Sequence, residues 1–184
     1  MNKTFLLRSQ IAVLAAFACA FATAAAAQTK KPDTTAEQAV LLGQFGDWGA
    51  YKATPGGKKL CFALSKPTSG STEPAGRKRD PSYAFVSTRP AEKVKNEVSV
   101  IVGYPQKPGH DATAGIGAAN YVMYTQNDGA WVKNAAEEAQ MVEAMRKGAD
   151  LVIRSESALG TKTTDTYSLK GIAQALEKVA EECK

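Results

Sequence analysis

Short segments of alternating residues constrain the fold of this chain more than any other feature of its sequence. In one of them, Leu60, Phe62 and Leu64 lie on the same face of an extended chain, which is the period of a β-strand. In 97–104 both faces carry aliphatic residues, which indicates a central strand covered on two sides. Segments of this kind begin near Gln44 and cover 59–65, 82–88, 97–104, 120–126, 130–133, 151–157 and 163–167.

Two segments near the C-terminal end have the period of α-helices instead. The first begins at Asn134, a favourable N-cap followed three residues on by Glu137, and ends before Gly148. The second begins near Ser168, which we interpret as its N-cap and not as a nucleophile. The apolar stripe of this second helix consists of Ile172, Leu176, Val179 and Cys183.

Together these elements predict a mainly β fold: an antiparallel β-sandwich of about eight short strands with two helices near the C-terminal end. The strands do not alternate regularly with helices, so a parallel doubly wound sheet is disfavoured. A β-barrel with a helical lid is the nearest alternative. The Pro-, Gly- and Ser-rich segment 66–80 is expected to be a loop, and 105–111 a turn region.

The N-terminal segment has the pattern of a secretory signal peptide. Lys3 and Arg8 precede an apolar run over 11–21, and the alanines of 25–27 suit a signal peptidase. The run is about half of the roughly twenty residues that a spanning helix needs, so an uncleaved anchor is the weaker alternative. The predicted organisation is cleavage after Ala27, a signal peptide over 1–27, a flexible leader over 28–43 and a single domain over 44–184.

Composition excludes several classes of protein. The chain of 184 residues is 44% hydrophobic and 22% charged, which rules out a disordered tail or a multi-span membrane protein. Loss of the signal peptide would lower the net charge from +5 to +3, too little to predict nucleic-acid binding. No second long apolar run follows, so no transmembrane span is expected after cleavage.

The cysteines predict one disulfide. Cys19 would leave with the signal peptide, and as a lipoprotein anchor it lacks the aliphatic residue expected three places earlier. Cys61 and Cys183 remain as an even pair in an exported protein, where such pairs oxidise. The strand face of Cys61 and the helix stripe of Cys183 would then pack together. Two separate buried thiols are the alternative.

The residues that could carry catalysis are few. His110 is the only histidine, and its neighbour Asp111 does not have the spacing of a catalytic triad, so an exposed loop residue is expected. The glycines of 115–120 resemble part of a dinucleotide fingerprint, but Asn120 replaces the third glycine and a strand turn is the expected structure. We therefore predict no catalytic residue, no cofactor and no metal site.

A basic run is the one candidate contact for a partner. Arg77, Lys78 and Arg79 are consecutive within the predicted loop 66–80. They are interpreted either as a solvated loop tip or as a contact for an anionic partner such as lipopolysaccharide, an acidic glycan or a membrane surface. The tyrosines and tryptophans are expected mainly in the core or on sheet faces.

Several motifs, in order, resemble one protein family. The segment 45–48 (Phe-Gly-Asp-Trp) resembles the opening motif of the invasion-associated locus B family, and 165–171 (Asp-Thr-Tyr-Ser-Leu-Lys-Gly) is the strongest piece. The pieces between them are Arg89-Pro90, Asn96–Ser99, Gly103–Pro105, Ala130–Val132, Met145–Gly148 and Gly160-Thr161. The resemblance covers roughly Gln44 to Lys184.

The resemblance implies an exported bacterial envelope protein without an assigned enzymatic activity, of a family linked to host-cell invasion. It carries over no catalytic or ligand residues, and its disulfide is consistent with Cys61 and Cys183. The expected function is a non-enzymatic binding or interaction module, located in the periplasm or alternatively at the surface or secreted. Its expected partner is an unidentified envelope or host protein or glycan, with peripheral membrane contact. A periplasmic structural or stress-related factor is the alternative, and a hydrolase is a weaker one.

Overall fold

The computed structural model describes residues 38–184, which form eleven strands and two helices. The strands are β1 (Val40–Phe45), β2 (Trp48–Ala53), β3 (Leu60–Ser65), β4 (Ser69–Glu73), β5 (Tyr83–Arg89), β6 (Val94–Ile101), β7 (Ala112–Ile116), β8 (Ala119–Gln126), β9 (Gly129–Val132), β10 (Asp150–Glu156) and β11 (Lys162–Ser168). The helices are α1 (Ala135–Lys147) and α2 (Ile172–Glu182). The predicted mainly β, antiparallel class with two C-terminal helices is confirmed.

All eleven strands belong to one antiparallel sheet, in the order β1-β2-β3-β5-β6-β9-β8-β7-β10-β11-β4. The two halves of this sheet are in contact. The indole N–H of Trp48 in β2 donates to the carbonyl oxygen of Ser168 in β11, with an N···O distance of 2.8 Å, although these strands are far apart in the order. The sheet therefore bends back on itself, and its inner faces enclose one hydrophobic core.

The structure has three more strands than the eight predicted, and each additional strand has an identifiable reason. The segment near Gln44 is a hairpin of two strands, β1 and β2, and it begins at Val40, four residues before the predicted domain start. The predicted loop 66–80 contains β4, a polar edge strand paired with β11. The third is β7, whose buried residues are small except for Ile116. Strands β4 and β7 lack the alternation of bulky residues on which the prediction relied.

Helix α2 covers the inner face of β1, β2, β3 and β5. The inward side chains of three of these strands include Ala50, Ala63 and Ala84, which are fully buried and small enough for the helix backbone to approach closely. Cys61 lies on this inner face, while Leu60, Phe62 and Leu64 are half-buried on the outer one. The predicted packing of α2 against the Cys61 face is confirmed.

The two helices begin differently from each other. Asn134 is the N-cap of α1, as predicted, and its side chain accepts a hydrogen bond from the Glu137 N–H, with an O···N distance of 2.9 Å. The predicted N-cap role of Ser168 is wrong. Ser168 ends β11 opposite Asp150, and α2 begins after Gly171, whose positive φ of 93° redirects the chain. Sheet pairing therefore takes precedence over the capping preference of serine.

The β1–β2 turn docks on the segment that leads into α2. The Asp47 N–H donates to the Lys170 carbonyl, with an N···O distance of 3.0 Å. A Cβ added at Gly46, which has a φ of 54°, would lie 2.5 Å from the Lys170 carbonyl oxygen. A Cβ at Gly171 would lie 1.9 Å from the carbonyl oxygen of Phe45. Both glycines are required by backbone conformation and by close approach.

A half-buried carboxylate joins α1 to β6. Glu138 accepts a hydrogen bond from the Val98 N–H, with an O···N distance of 2.7 Å. Desolvation raises the pKa of Glu138 above its ordinary value; the hydrogen bond from Val98 opposes this rise and the charge of Glu97 adds to it. The folded protein consequently holds a proton on Glu138 more firmly than the unfolded chain does.

This carboxyl group makes the free energy of unfolding fall as pH rises from the ordinary pKa of 4.5 through the raised value. Glu138→Gln removes the ionisation and keeps an acceptor oxygen for Val98, so we expect the variant to lose this decline. Urea unfolding at about pH 4 and about pH 7 measures the effect. Glu177→Gln, the same change at an exposed position of α2, should retain the wild-type pH dependence. A Glu138→Gln protein with an unaltered pH dependence would contradict the prediction.

Candidate functional site

The basic run lies in the connection between β4 and β5, at one end of the bent sheet. Its three cations have different surroundings. Arg77 and Lys78 are exposed, whereas the side chain of Arg79 is only 16% exposed and turns towards the sheet. The run is therefore not a uniform solvated tip.

Arg79 forms a buried ion pair with Asp165 of β11. Its guanidinium donates to both carboxylate oxygens, with an Nη1···Oδ2 distance of 2.6 Å, and Nη1 also donates to the carbonyl of Val102 at 2.9 Å. The side chain of Asp165 is 1% exposed. The hydrogen bonds with Asp165 raise the pKa of Arg79 above its ordinary value. Three of the five guanidinium N–H groups are thus used within the protein, and an anionic contact of Arg79 stays a prediction.

The strand opposite Asp165 leaves space for this pair. Asp165 faces Gly70 of β4 in the sheet register, and a Cβ at position 70 would lie 2.6 Å from Asp165 Oδ1. Any other residue at this position would push against the carboxylate. The polar edge strand β4 thus has a structural role beside its backbone pairing.

The connection that carries Arg77 and Lys78 is fixed at both ends. The Arg77 N–H donates to Thr72 Oγ1 at 3.2 Å, and the Asp80 N–H donates to the Gly103 carbonyl at 3.0 Å. Within residues 38–184, no acidic side chain lies within ion-pair distance of Arg77 or Lys78. The backbone that carries these two cations is therefore hydrogen-bonded to the fold, and their exposed side chains have no ion-pair partner among the described residues.

These cations line a surface cleft with two lobes, which we call the Arg77 cleft. Its first lobe encloses about 430 Å³ between Arg77, Lys78 and the β10–β11 turn that carries Leu159. Its second lobe, about 570 Å³, extends past Asp80 and Asp128. The wall shared by the two lobes consists of Lys78, Arg79, Tyr104 and Pro105.

Two hydrogen bonds between hydroxyl groups lie near the cleft. Tyr104 and Thr163 share a hydrogen bond, and so do Tyr167 and Ser82. Burial raises the pKa of Tyr167, which keeps its hydroxyl protonated as a hydrogen-bonding group. These two hydrogen bonds join β11 to the segments next to β5 and β6, and the first of them positions Tyr104 in the cleft wall.

Other predicted candidates lie away from this cleft. His110 is exposed in the turn before β7, where its carbonyl accepts from Thr125 Oγ1 at 2.7 Å. The glycine-containing segment 115–120 is the β7–β8 turn, as predicted. Among residues 38–184, no three His, Cys, Asp or Glu side chains are grouped to hold a metal ion. The predicted cleavage site at Ala27 and the alternative anchor at Cys19 lie outside the described residues.

A disulfide joins Cys61 of β3 to Cys183 at the end of α2, with a Cα–Cα distance of 6.0 Å. Both cysteines are buried. Close to it, the ammonium of Lys52 bonds to the Glu182 carboxylate at 3.0 Å, which lowers the pKa of Glu182. The end of α2 is thus fixed covalently and electrostatically at a place distinct from the Arg77 cleft.

The aromatic residues are mainly packed, as predicted. Trp48 is buried, and Tyr51 stacks on Phe62 across the outer sheet face with ring centroids 5.3 Å apart. Tyr124, stacked on Trp131, is the exposed member of its pair. These cross-strand pairs stabilise the sheet.

The comparison with protein families gives a family for this chain. A family model described as "Invasion associated locus B (IalB) protein" matches residues 52–180. The chain belongs to the invasion associated locus B family. No curated protein and no solved structure matches it. The IalB match includes Arg79 and Asp165, and with them the whole Arg77 cleft; Trp48 and Cys183 lie outside it.

Charge and periodicity alone did not indicate a role for Asp165 or Leu159 at the Arg77 cleft. Asp165 is the partner of Arg79. It lies two residues from Thr163 and two from Tyr167 in β11, and because residues two apart in a strand share a face, its position indicates that it is buried with them. Leu159 is an apolar residue at a hairpin turn, where polar residues are usual. Without Asp165 the ion pair of Arg79 is not predicted, and without Leu159 the apolar side of the cleft is not predicted.

Proposed function

We propose that this IalB-family protein is exported to the bacterial envelope and acts there as a non-enzymatic binding module for an anionic component. The observation that carries the proposal is the Arg77 cleft, where Arg77 and Lys78 have no ion-pair partner within residues 38–184 and the connection that carries them is hydrogen-bonded to the fold. The hydrogen-bonded backbone of this connection limits the entropy that the loop would lose on binding, whereas the exposed Arg77 and Lys78 side chains would still become ordered. The family description and the N-terminal signal pattern support the envelope as its location.

Neither α1 nor α2 is long and apolar enough to cross a membrane, a finding that applies to residues 38–184. The proposed location is tested by cell fractionation of the full chain with a C-terminal tag. We expect the tagged protein in the envelope fractions with a mass reduced by residues 1–27. Recovery of an unshortened chain in the cytoplasm would contradict export.

The proposed binding role is tested by cross-linking in living cells, with co-purified molecules identified by mass spectrometry. Arg77→Ser/Lys78→Ser removes the unpaired cations and leaves the Arg79–Asp165 pair intact. The matched control, Lys58→Ser/Lys95→Ser, removes two exposed lysines outside the cleft. We expect wild type and control to capture the same component and the Arg77→Ser/Lys78→Ser variant to capture much less. Equal capture by all three would place binding elsewhere, and no capture would favour a structural or stress-related role.

A further inference from the structure

We propose that the first lobe of the Arg77 cleft binds a small anionic amphiphile, a carboxylate or phosphate group joined to an apolar chain. The inference rests on the proposed function and names the ligand class for the same cleft. The lining of the lobe includes the cations Arg77 and Lys78, the apolar side chain of Leu159 and several hydroxyl groups. Its volume of about 430 Å³ is in the range of small-molecule sites, roughly 300–1,000 Å³.

The apolar wall is the turn between β10 and β11. Leu159 at its tip is 93% exposed, the highest exposure among the large hydrophobic residues of the described chain. Nothing in the fold requires an apolar residue here, because the turn is closed by hydrogen bonds from Gly160 N–H to the Ser157 carbonyl at 2.9 Å and from Thr161 N–H to Ser157 Oγ at 3.0 Å. Ala158 continues the apolar wall beside Leu159. An apolar ligand would remove this surface from water.

The cationic wall selects the charge of the ligand. Arg77 and Lys78 line the first lobe, and the described residues that line this lobe include no aspartate or glutamate. The second lobe differs, because Asp80 and Asp128 lie along it and would repel an anion. Charge complementarity therefore assigns the anionic group to the first lobe, beside Arg77 and Lys78.

A backbone hydrogen bond and a side-chain ion pair tie the two walls to the fold. The Ala158 N–H donates to the Pro105 carbonyl at 2.9 Å, which ties the apolar turn to the wall that carries Tyr104. On the other side, the Arg79–Asp165 pair ties the cationic segment to β11. A ligand that bridges the walls would meet a preformed site.

Titration calorimetry with dodecyl phosphate below its micelle concentration tests the inference on the purified protein. Inorganic phosphate supplies the charge without the chain, and dodecyl maltoside supplies the chain without the charge. We expect dodecyl phosphate to bind at least about tenfold more tightly than either, because it alone contacts both walls. Inorganic phosphate binding as tightly as dodecyl phosphate would overturn the apolar half of the proposal, and dodecyl maltoside binding as tightly would overturn the anionic half.

Three variants locate the binding. Arg77→Ser/Lys78→Ser should weaken dodecyl phosphate binding about tenfold, and Leu159→Ser should weaken it several-fold. Lys58→Ser/Lys95→Ser, which lowers the net charge equally, should leave the affinity unchanged. All the altered side chains are exposed, and matching thermal midpoints would verify that the variants are folded. Equal affinities for the wild type and for the Arg77→Ser/Lys78→Ser variant would overturn the proposed site.

Phosphatidylglycerol vesicles distinguish a free amphiphile from a membrane surface. The inference expects dodecyl phosphate to bind in the absence of any bilayer. Binding to vesicles without binding to dodecyl phosphate would overturn it in favour of membrane docking. Cross-linking in cells reports on a larger partner independently, so a captured partner together with a failed titration would reject this ligand class and keep the proposed binding role.

Discussion

Replacing both Cys61 and Cys183 with alanine is expected to lower the free energy of unfolding by about 3–5 kcal/mol. The disulfide joins residues 122 positions apart, so in the chain-entropy model it removes many conformations from the unfolded chain. It also holds the last turn of α2 against β3, where both sulfurs are buried. Urea unfolding monitored by circular dichroism measures the loss, with midpoint and slope both fitted, because removing the cross-link lets the unfolded chain expose more surface and so also raises the slope.

A reductant provides the internal control for this experiment. Dithiothreitol should move the wild-type midpoint towards that of Cys61→Ala/Cys183→Ala and should leave the variant itself unchanged. If wild type and variant unfold at the same urea concentration in the absence of reductant, the bond does not stabilise the fold as we expect.

Asp165→Asn is expected to lower the free energy of unfolding by about 3 kcal/mol. The change leaves the Arg79 guanidinium mostly buried without its opposite charge, while the asparagine side chain presents an N–H₂ group to one of its donors. The same urea experiment measures this loss. Because the pair also fixes the wall of the Arg77 cleft, dodecyl phosphate binding should weaken in the folded variant as well.

Two comparisons separate this effect from a general loss of charge. Asp111→Asn removes an acid whose ion pair with Lys133 is exposed, 42% for Asp111 and 47% for Lys133, and should change stability by less than about 0.5 kcal/mol. Arg79→Met/Asp165→Leu replaces both buried charges with apolar groups and should recover much of the lost stability. An Asp165→Asn protein as stable as Asp111→Asn would show that the buried pair contributes little.

The core of this fold was predictable from the sequence in strands where large apolar side chains alternate between the two faces. In β3 the alternation placed Cys61 on one face and Phe62 on the other, and the stripe of α2 indicated which face it covers; both agree with the structure. Strand β4 was not predictable in this way. Its residues, Ser69–Glu73, are polar. The strand lies at the sheet edge, where hydrogen bonds to β11 fix its conformation and burial is not required.

The candidate site was predictable only in part, because its residues come from distant segments. The charge run identified Arg77, Lys78 and Arg79, but periodicity does not show which of three consecutive cations turns inward. An acid on an inward strand position requires a buried partner, so Asp165 could have indicated an ion pair. The identity of that partner depends on a contact across 86 positions, which the sequence of one chain does not specify.

The docking of the β1–β2 turn on Lys170 and Gly171 has a consequence for how the chain is made. Synthesis proceeds from the N-terminus, so β1, β2 and β3 exist long before the segment that completes them. Until residues 168–183 are available, Ala50 and Ala63 face water, Asp47 lacks its carbonyl acceptor and Cys61 lacks its partner. Residues 168–183 therefore act as the closing step of folding, and a chain terminated before them would display an uncovered sheet.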